Sequence, residues 1–106
     1  MHYNIRRLRD MIQQLPADIH VGKKGLSAGL ISEVKRRLKE QGYVKIRLLK
    51  SSLEVEKKDR KELAIRIAKL TNAKLIDIRG RTLVLVRNDV DLKELQRKVE
   101  SKIIKV

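Results

Sequence analysis

The spacing of apolar positions changes period several times along the chain, and each change marks an element. Ile5, Leu8, Met11, Ile12 and Leu15 recur at helical spacing behind Asn4, a residue suited to an N-cap, and Pro16 ends the run. Asp18-Ile19-His20-Val21 is a short strand whose alternation turns His20 away from its apolar neighbours. A loop, Gly22-Lys23-Lys24-Gly25, then leads into a second helix with Leu30, Ile31, Val34 and Leu38 as its inward stripe. Ser27 is placed to cap that helix, Leu26 and Ile31 to form a hydrophobic staple across its entry, and Gly42 to close it in the left-handed conformation. On its outer side Glu33 pairs with Arg37 and Arg36 with Glu40, one turn apart. Lys35 and Lys39 have no such partner.

Tyr43 to Leu49 alternates, with Val44, Ile46 and Leu48 inward and Lys45 and Arg47 outward, the pattern of a half-buried strand. Lys50 to Lys58 is polar, with Leu53 and Val55 its only apolar residues, and is expected to be a loop or a ragged strand end. Asp59 and Glu62 have capping-box spacing and open a third helix that faces the core with Leu63, Ala64, Ile67, Ala68 and Leu70. Asn72, which tolerates the left-handed region, ends it. Leu75–Ile78 and Thr82–Val86 form two strands joined by a tight turn at Arg79-Gly80-Arg81. The second of these is apolar on both faces and is therefore expected at the centre of a sheet. Asp91 and Glu94 repeat the capping spacing before a fourth amphipathic helix containing Leu92, Leu95, Val99 and Ile103. The tail from Lys102 to Val106 fits either the end of that helix or a strand.

Composition narrows what such an α/β arrangement does. With 106 residues the chain is one domain, and 27 Lys plus Arg against 13 Asp plus Glu give a formal charge of +14. That surplus attracts polyanions, nucleic acid first and an anionic membrane surface second. The membrane alternative is weak, since no apolar run approaches the length of a span and no signal-peptide pattern is present, and a cytoplasmic location is expected. Cysteine is absent, and His2 and His20 are too few and too far apart to suggest a metal site. No cofactor is expected. Phe and Trp are also absent, leaving Tyr3 and Tyr43 as the only rings, which disfavours modules that read bases by stacking. Contact through phosphate, sugar and backbone shape is the mode left.

The chemistry concentrates at Gly22-Lys23-Lys24-Gly25. Glycines remove side chains from the path of a bulky anion, the next helix presents the positive end of its dipole, and Lys23 and Lys24 add full charges. Gly22, Lys23, Lys24, Gly25 and Ser27 are thus the first candidate site residues. Arg6, Arg7 and Arg9, on the polar side of the first helix, and Arg79 and Arg81, flanking the hairpin turn, are further candidates for phosphate contact. Asp77 beside Arg79 has the place of a local charge partner rather than a catalytic acid. Catalysis is not indicated, because paired carboxylates, a His pair, a metal cluster and a P-loop are all missing.

Three stretches together, VGKKGLSAGLISEVKRRL, YVKIRLL and AIRIAKLTNAKLIDIRGRTLVLVRN, resemble the CRM domain family (chloroplast RNA splicing and ribosome maturation) over Ile5 to about Asn88. The resemblance implies a mixed four-stranded sheet packed with helices in the order helix then βαβαββ, like the C-terminal domain of translation initiation factor three. It implies a CRM-like domain over 1–88. The segment 89–106 lies outside the shared pattern and is expected to be a helical extension of the same domain, its role open between a lid on the exposed sheet face, a dimer contact and a second basic arm. The resemblance also implies a non-enzymatic RNA-binding protein that uses the GxxG loop against RNA backbone, as KH domains do, with ribosomal or precursor RNA and ribosomal particles as partners. The sequence leaves the oligomeric state open, with a monomer favoured. A general DNA-coating protein is the alternative. Two departures stand out: Asn72 replaces the usual Gly, and Val86 stands where the family often has an aromatic.

Overall fold

The computed structural model describes residues 4–103, so His2, Tyr3 and the Ile104–Val106 end of the tail lie outside the described residues. The elements are α1 (Ile5–Gln14), β1 (Ile19–Val21), α2 (Ala28–Gln41), β2 (Tyr43–Leu48), α3 (Lys50–Glu56), α4 (Arg60–Leu70), β3 (Ala73–Arg79), β4 (Thr82–Arg87) and α5 (Leu92–Ile103). The four strands form one mixed sheet in the order β1-β2-β4-β3. β1 and β2 are parallel, and the other two pairs are antiparallel. β4 is central and buried on both sides, as its unbroken apolar run requires.

Helices cover both faces. On one, Val34 and Leu38 of α2 and Leu63, Ala64, Ile67 and Ala68 of α4 pack on Ile19, Val21, Val44, Ile46, Leu48, Leu83 and Leu85. On the other, Leu8, Met11 and Ile12 of α1 and Leu95 and Val99 of α5 pack on Tyr43, Val84 and Val86. The C-terminal helix is thus a cover for the sheet, docked beside α1.

Local signals give the helix ends. Asn4 accepts from the Arg7 amide at 3.2 Å, Ser27 Oγ accepts from the Leu30 amide at 3.1 Å, and Asp59 and Glu62 form a reciprocal capping box. Gly42 and Asn72 take left-handed conformations with φ of 82° and 52° where α2 and α4 end. Asp91 accepts from the Lys93 and Glu94 amides, and α5 runs to Ile103, so the described part of the tail is helical. The expected staple is only half formed, since Leu26 packs on the core cluster and Ile31 stays half-buried outside it.

Two expectations are corrected. Lys50–Glu56 is a helix, not a loop or strand end. Ser52, Leu53 and Glu56 fall at helical spacing, with Ser52 buried and Leu53 and Glu56 half-buried, so the inward stripe is mostly polar and carries no readable hydrophobic period. Its C-cap is Lys57 at φ 53°, a residue that sequence rules do not flag as a stop.

The second correction concerns β2, whose expected outward face lies under α1. Tyr43 and Lys45 are buried, and the Lys45 ammonium donates to the carbonyls of Gln13 and Leu15, 2.6 Å from each. Those are orphan carbonyls at the C-terminal end of α1, where a cation is favoured. Burial pushes the Lys45 pKa down, with Asp18 opposing the shift and Arg47 adding to it. Strict alternation distinguishes two faces of a strand but does not say that one of them is wet.

A β-bulge in β3 has the same consequence. Leu75 opposes Leu85 and Asp77 opposes Val84, so Ile76 is an extra residue. Asp77 is thereby brought to the α1 side, where Gln13 Nε2 donates to it at 3.1 Å and Arg79 Nε lies 2.9 Å away.

Lys45→Met should keep the stem's packing while leaving the two α1 carbonyls unpaired, lowering stability by about 1–3 kcal/mol. Urea unfolding would show this as a lower midpoint at unchanged slope.

Candidate nucleic-acid interface

The Gly22–Gly25 loop leaves β1 at one end of the sheet and turns into α2, and two backbone hydrogen bonds and one from a side chain build that end as a unit. Leu49 donates its amide to the Val21 carbonyl at 2.9 Å, Leu48 donates to the Arg81 carbonyl at 2.7 Å, and Arg60 Nη1 donates to the Gly80 carbonyl at 3.1 Å. The loop, the start of α3, the β3–β4 turn and the start of α4 are therefore neighbours. Strand register adds a row across the sheet at the same end: His20 stands opposite Arg47, Arg47 opposite Thr82 and Thr82 opposite Arg79. Both His20 and Arg47 are exposed.

The loop bounds an open groove of about 360 Å³ lined by His20, Val21, Gly22, Lys23, Lys24, Gly25, Ser27 and Leu30. Lys23, Lys24 and Ser27 are exposed, and neither lysine is ion-paired to any described residue. At the start of α2 the amides of Ala28 and Gly29 have no acceptor among the described residues. Two cations beside open helix amides make a place for a phosphate oxygen.

The two glycines do different things. Gly25 is buried at φ 61°, and its amide closes a turn on the Gly22 carbonyl at 2.9 Å. A Cβ there would collide with Glu56 Oε2, which accepts the Leu26 amide at 2.8 Å, and would crowd Val55 Cγ1 at 3.2 Å. The amides of Gly25 and Leu26 are consequently engaged within the protein, and Gly25 serves internal packing. Gly22 has no positive φ, and a Cβ on it would meet only Leu49 and Ser51 at ordinary contact distances of 3.8 and 3.9 Å. Nothing inside the protein demands glycine at 22.

The arginine candidates divide. Arg81 is exposed at the same sheet end as the loop. Arg79 is also there but is bonded to both Asp10 and Asp77, and these carboxylates, Asp10 foremost, raise its pKa. Much of its charge is thus countered, and the charge-partner expectation for Asp77 holds. Arg6, Arg7 and Arg9 belong to α1, in the layer across the sheet from α2. Arg6 is exposed, Arg7 is 3.2 Å from Glu100, and Arg9 is half-buried.

Glu56 is the residue that sequence reasoning missed, because nothing in a polar stretch announced a helix that would carry a carboxylate to the loop. Arg47 was recognisable as outward, but only the register sets it beside His20. Tyr43, the ring among the described residues, is buried, and its hydroxyl accepts from Lys102 Nζ at 2.8 Å, so it is withdrawn from base stacking.

Comparison with known proteins agrees with this architecture. The family model described as the CRS1 / YhbY (CRM) domain matches residues 2–87, a span that ends before α5. A Methanocaldococcus jannaschii protein bearing the name "Probable RNA-binding protein" is 37% identical over 82 residues. That alignment takes in 77% of this chain and 59% of the relative, so the chain spans less than two thirds of that protein's length. The solution structure of a Staphylococcus aureus protein superposes with a TM-score of 0.66 at 24% identity, covering 85% of this chain and 90% of the other. The mixed α+β fold is shared with it.

Gly25→Ala should destabilise the fold by at least about 1–2 kcal/mol, the cost of holding an L-residue in the left-handed region. Gly22→Ala should leave the thermal unfolding midpoint near that of the unaltered protein. Differential scanning calorimetry of both variants checks the contrast.

Proposed function

Because the chain belongs to the CRS1 / YhbY (CRM) domain family, we propose that it is a non-enzymatic RNA-binding protein that grips RNA backbone with its Gly22–Gly25 loop. The observation that carries this is the pair of exposed, unpaired lysines, Lys23 and Lys24, beside the open amides at the start of α2. One phosphate sits against the helix amides and Ser27 while the lysines neutralise its neighbours. Gly22, which the fold itself does not require, is where the backbone of the RNA comes close. Arg81, Arg47 and His20 extend the surface across the same sheet end, whereas Arg6, Arg7, Arg9 and Arg79 take minor parts.

Recognition by backbone and shape follows from what is available for contact. With both sheet faces under helices and Tyr43 buried, no described aromatic surface is offered to a base. The family resemblance supports structured ribosomal or precursor RNA of the large subunit as the target and ribosomal particles as the setting. The name carried by the M. jannaschii relative supports RNA as the ligand class.

Changing Lys23 and Lys24 to Asp should weaken binding to folded RNA strongly and flatten the dependence of log affinity on log salt by about 1.4–1.8, two contacts' worth. Far-UV circular dichroism should show an unchanged fold. Unaltered binding by the folded variant removes the loop from the mechanism. Equal affinity for duplex DNA at matched salt would favour a general DNA-coating protein, and co-sedimentation with ribosomal particles tests the ribosomal setting.

A further inference from the structure

Charge on α2 is segregated by flank. Glu33, Arg36, Arg37 and Glu40 lie on one side and neutralise one another: Arg36 bonds both Glu33 and Glu40, and Arg37 lies 3.2 Å from Glu33 and 3.7 Å from Asp18. At 100° per residue, Ala28, Ser32, Lys35 and Lys39 form a separate row, all four exposed. That row holds two cations and no carboxylate. It begins at the first turn, next to the Lys23–Lys24 loop, and reaches Lys39 about 16 Å along the helix, at about 1.5 Å per residue.

At its far end the row opens into a cleft of about 380 Å³ lined by Lys35, Lys39, Asn72, Arg87, Asn88 and Asp89 among others. Arg87 reaches across to the end of α2, donating to the carbonyl of Lys39 at 3.2 Å while its Nε meets Asp89 at 2.6 Å. The one carboxylate lining the cleft is therefore already countered. Asn88 Nδ2 donates to the carbonyl and Oδ1 of Asn72, which leaves the Asn72 side-chain amide group free to donate. Cationic and neutral donors converge there, with the negative charge held by Arg87.

We propose that the outer row of α2 and this cleft form a second backbone-binding subsite for RNA. One strand, anchored at the Lys23–Lys24 loop, runs along Ala28 and Ser32 and places a later phosphate between Lys35, Lys39 and Asn72. The small side chains at 28 and 32 let the strand lie close to the helix, and the ion-paired flank keeps Glu33 and Glu40 away from it. The proposal rests on the RNA-binding reading above and adds a direction and a far end to the contact.

The test measures binding of a fluorescently labelled RNA hairpin to the full chain over a range of salt. Lys35→Gln with Lys39→Gln should flatten the log–log salt slope by about 0.7–0.9, one phosphate's worth, and the Lys35→Arg, Lys39→Arg protein should restore it. Lys93→Gln with Arg97→Gln removes the same charge from exposed positions on α5, across the sheet, and should leave the slope near that of the unaltered protein. Equal flattening by the α2 and α5 pairs would reduce the effect to net charge and overturn the subsite, as would an unchanged slope in the α2 pair with circular dichroism showing it folded. If the Lys23, Lys24 variant loses binding while the α2 pair does not, the second subsite alone fails. If the α2 pair loses binding while the loop variant keeps it, the loop fails and the subsite stands. An unaltered protein that does not bind the hairpin sinks both.

Discussion

The carboxylate of Glu56 lies where a side chain on residue 25 would have to go, and it holds the amide of Leu26. This contact joins α3, a helix of seven residues with no side-chain N-cap, to the turn that carries the two exposed lysines. It adds to the Gly25 amide on the Gly22 carbonyl, the Ser27 cap and the packing of Leu26 on the core in tying the loop down. With it, the turn is gripped from behind by an acid while its bases face water. Lys23, Lys24 and the first amides of α2 are thus presented to solution on a loop that is held from behind.

The same division between groups consumed inside the protein and groups left outside runs through the molecule. Lys45 is spent on the end of α1, Arg79 on Asp10 and Asp77, Arg7 on Glu100, and Arg36 and Arg37 on the acids of their own helix. Exposed ion pairs of this kind contribute little to stability, the median being about 0–1 kcal/mol. Their larger consequence is for the surface potential, because each pairing removes a cation from the field that steers a polyanion. On α2 itself, what remains uncompensated is Lys35 and Lys39, which share one row of the helix that begins next to the lysines of the loop. A formal charge of +14 overstates the number of contacts available and says nothing of where they are.

Covering both faces of the sheet limits what the protein presents to a nucleic acid. α1 and α5 occupy the face on which an open sheet would present side chains to bases, and Tyr43 is sealed beneath them with its hydroxyl on Lys102. In the proposed mode, contact falls to the sheet's end and to the flank of α2, where lysines, arginines and open backbone amides are exposed. That distribution suits phosphate and shape rather than base edges.

Local chemistry written in the sequence determined most of the elements: the Asn4, Ser27 and Asp59 caps, the left-handed Gly42 and Asn72, the two-sided apolar run of β4 and the Gly80 turn. Each depends on residues within a turn or two of one another, and such signals survive without knowledge of the fold. The exposed lysines of the loop and the capped start of the helix after it were legible for the same reason. Only tertiary structure decided that Lys50–Glu56 is helical, that Lys45 is buried, that the bulge at Ile76 turns Asp77 toward α1, and that Gly25 serves Glu56 while Gly22 serves nothing inside the protein. In every one of these cases the partner lies roughly thirty or more positions away or on another layer, where the period of a single segment carries no information about it.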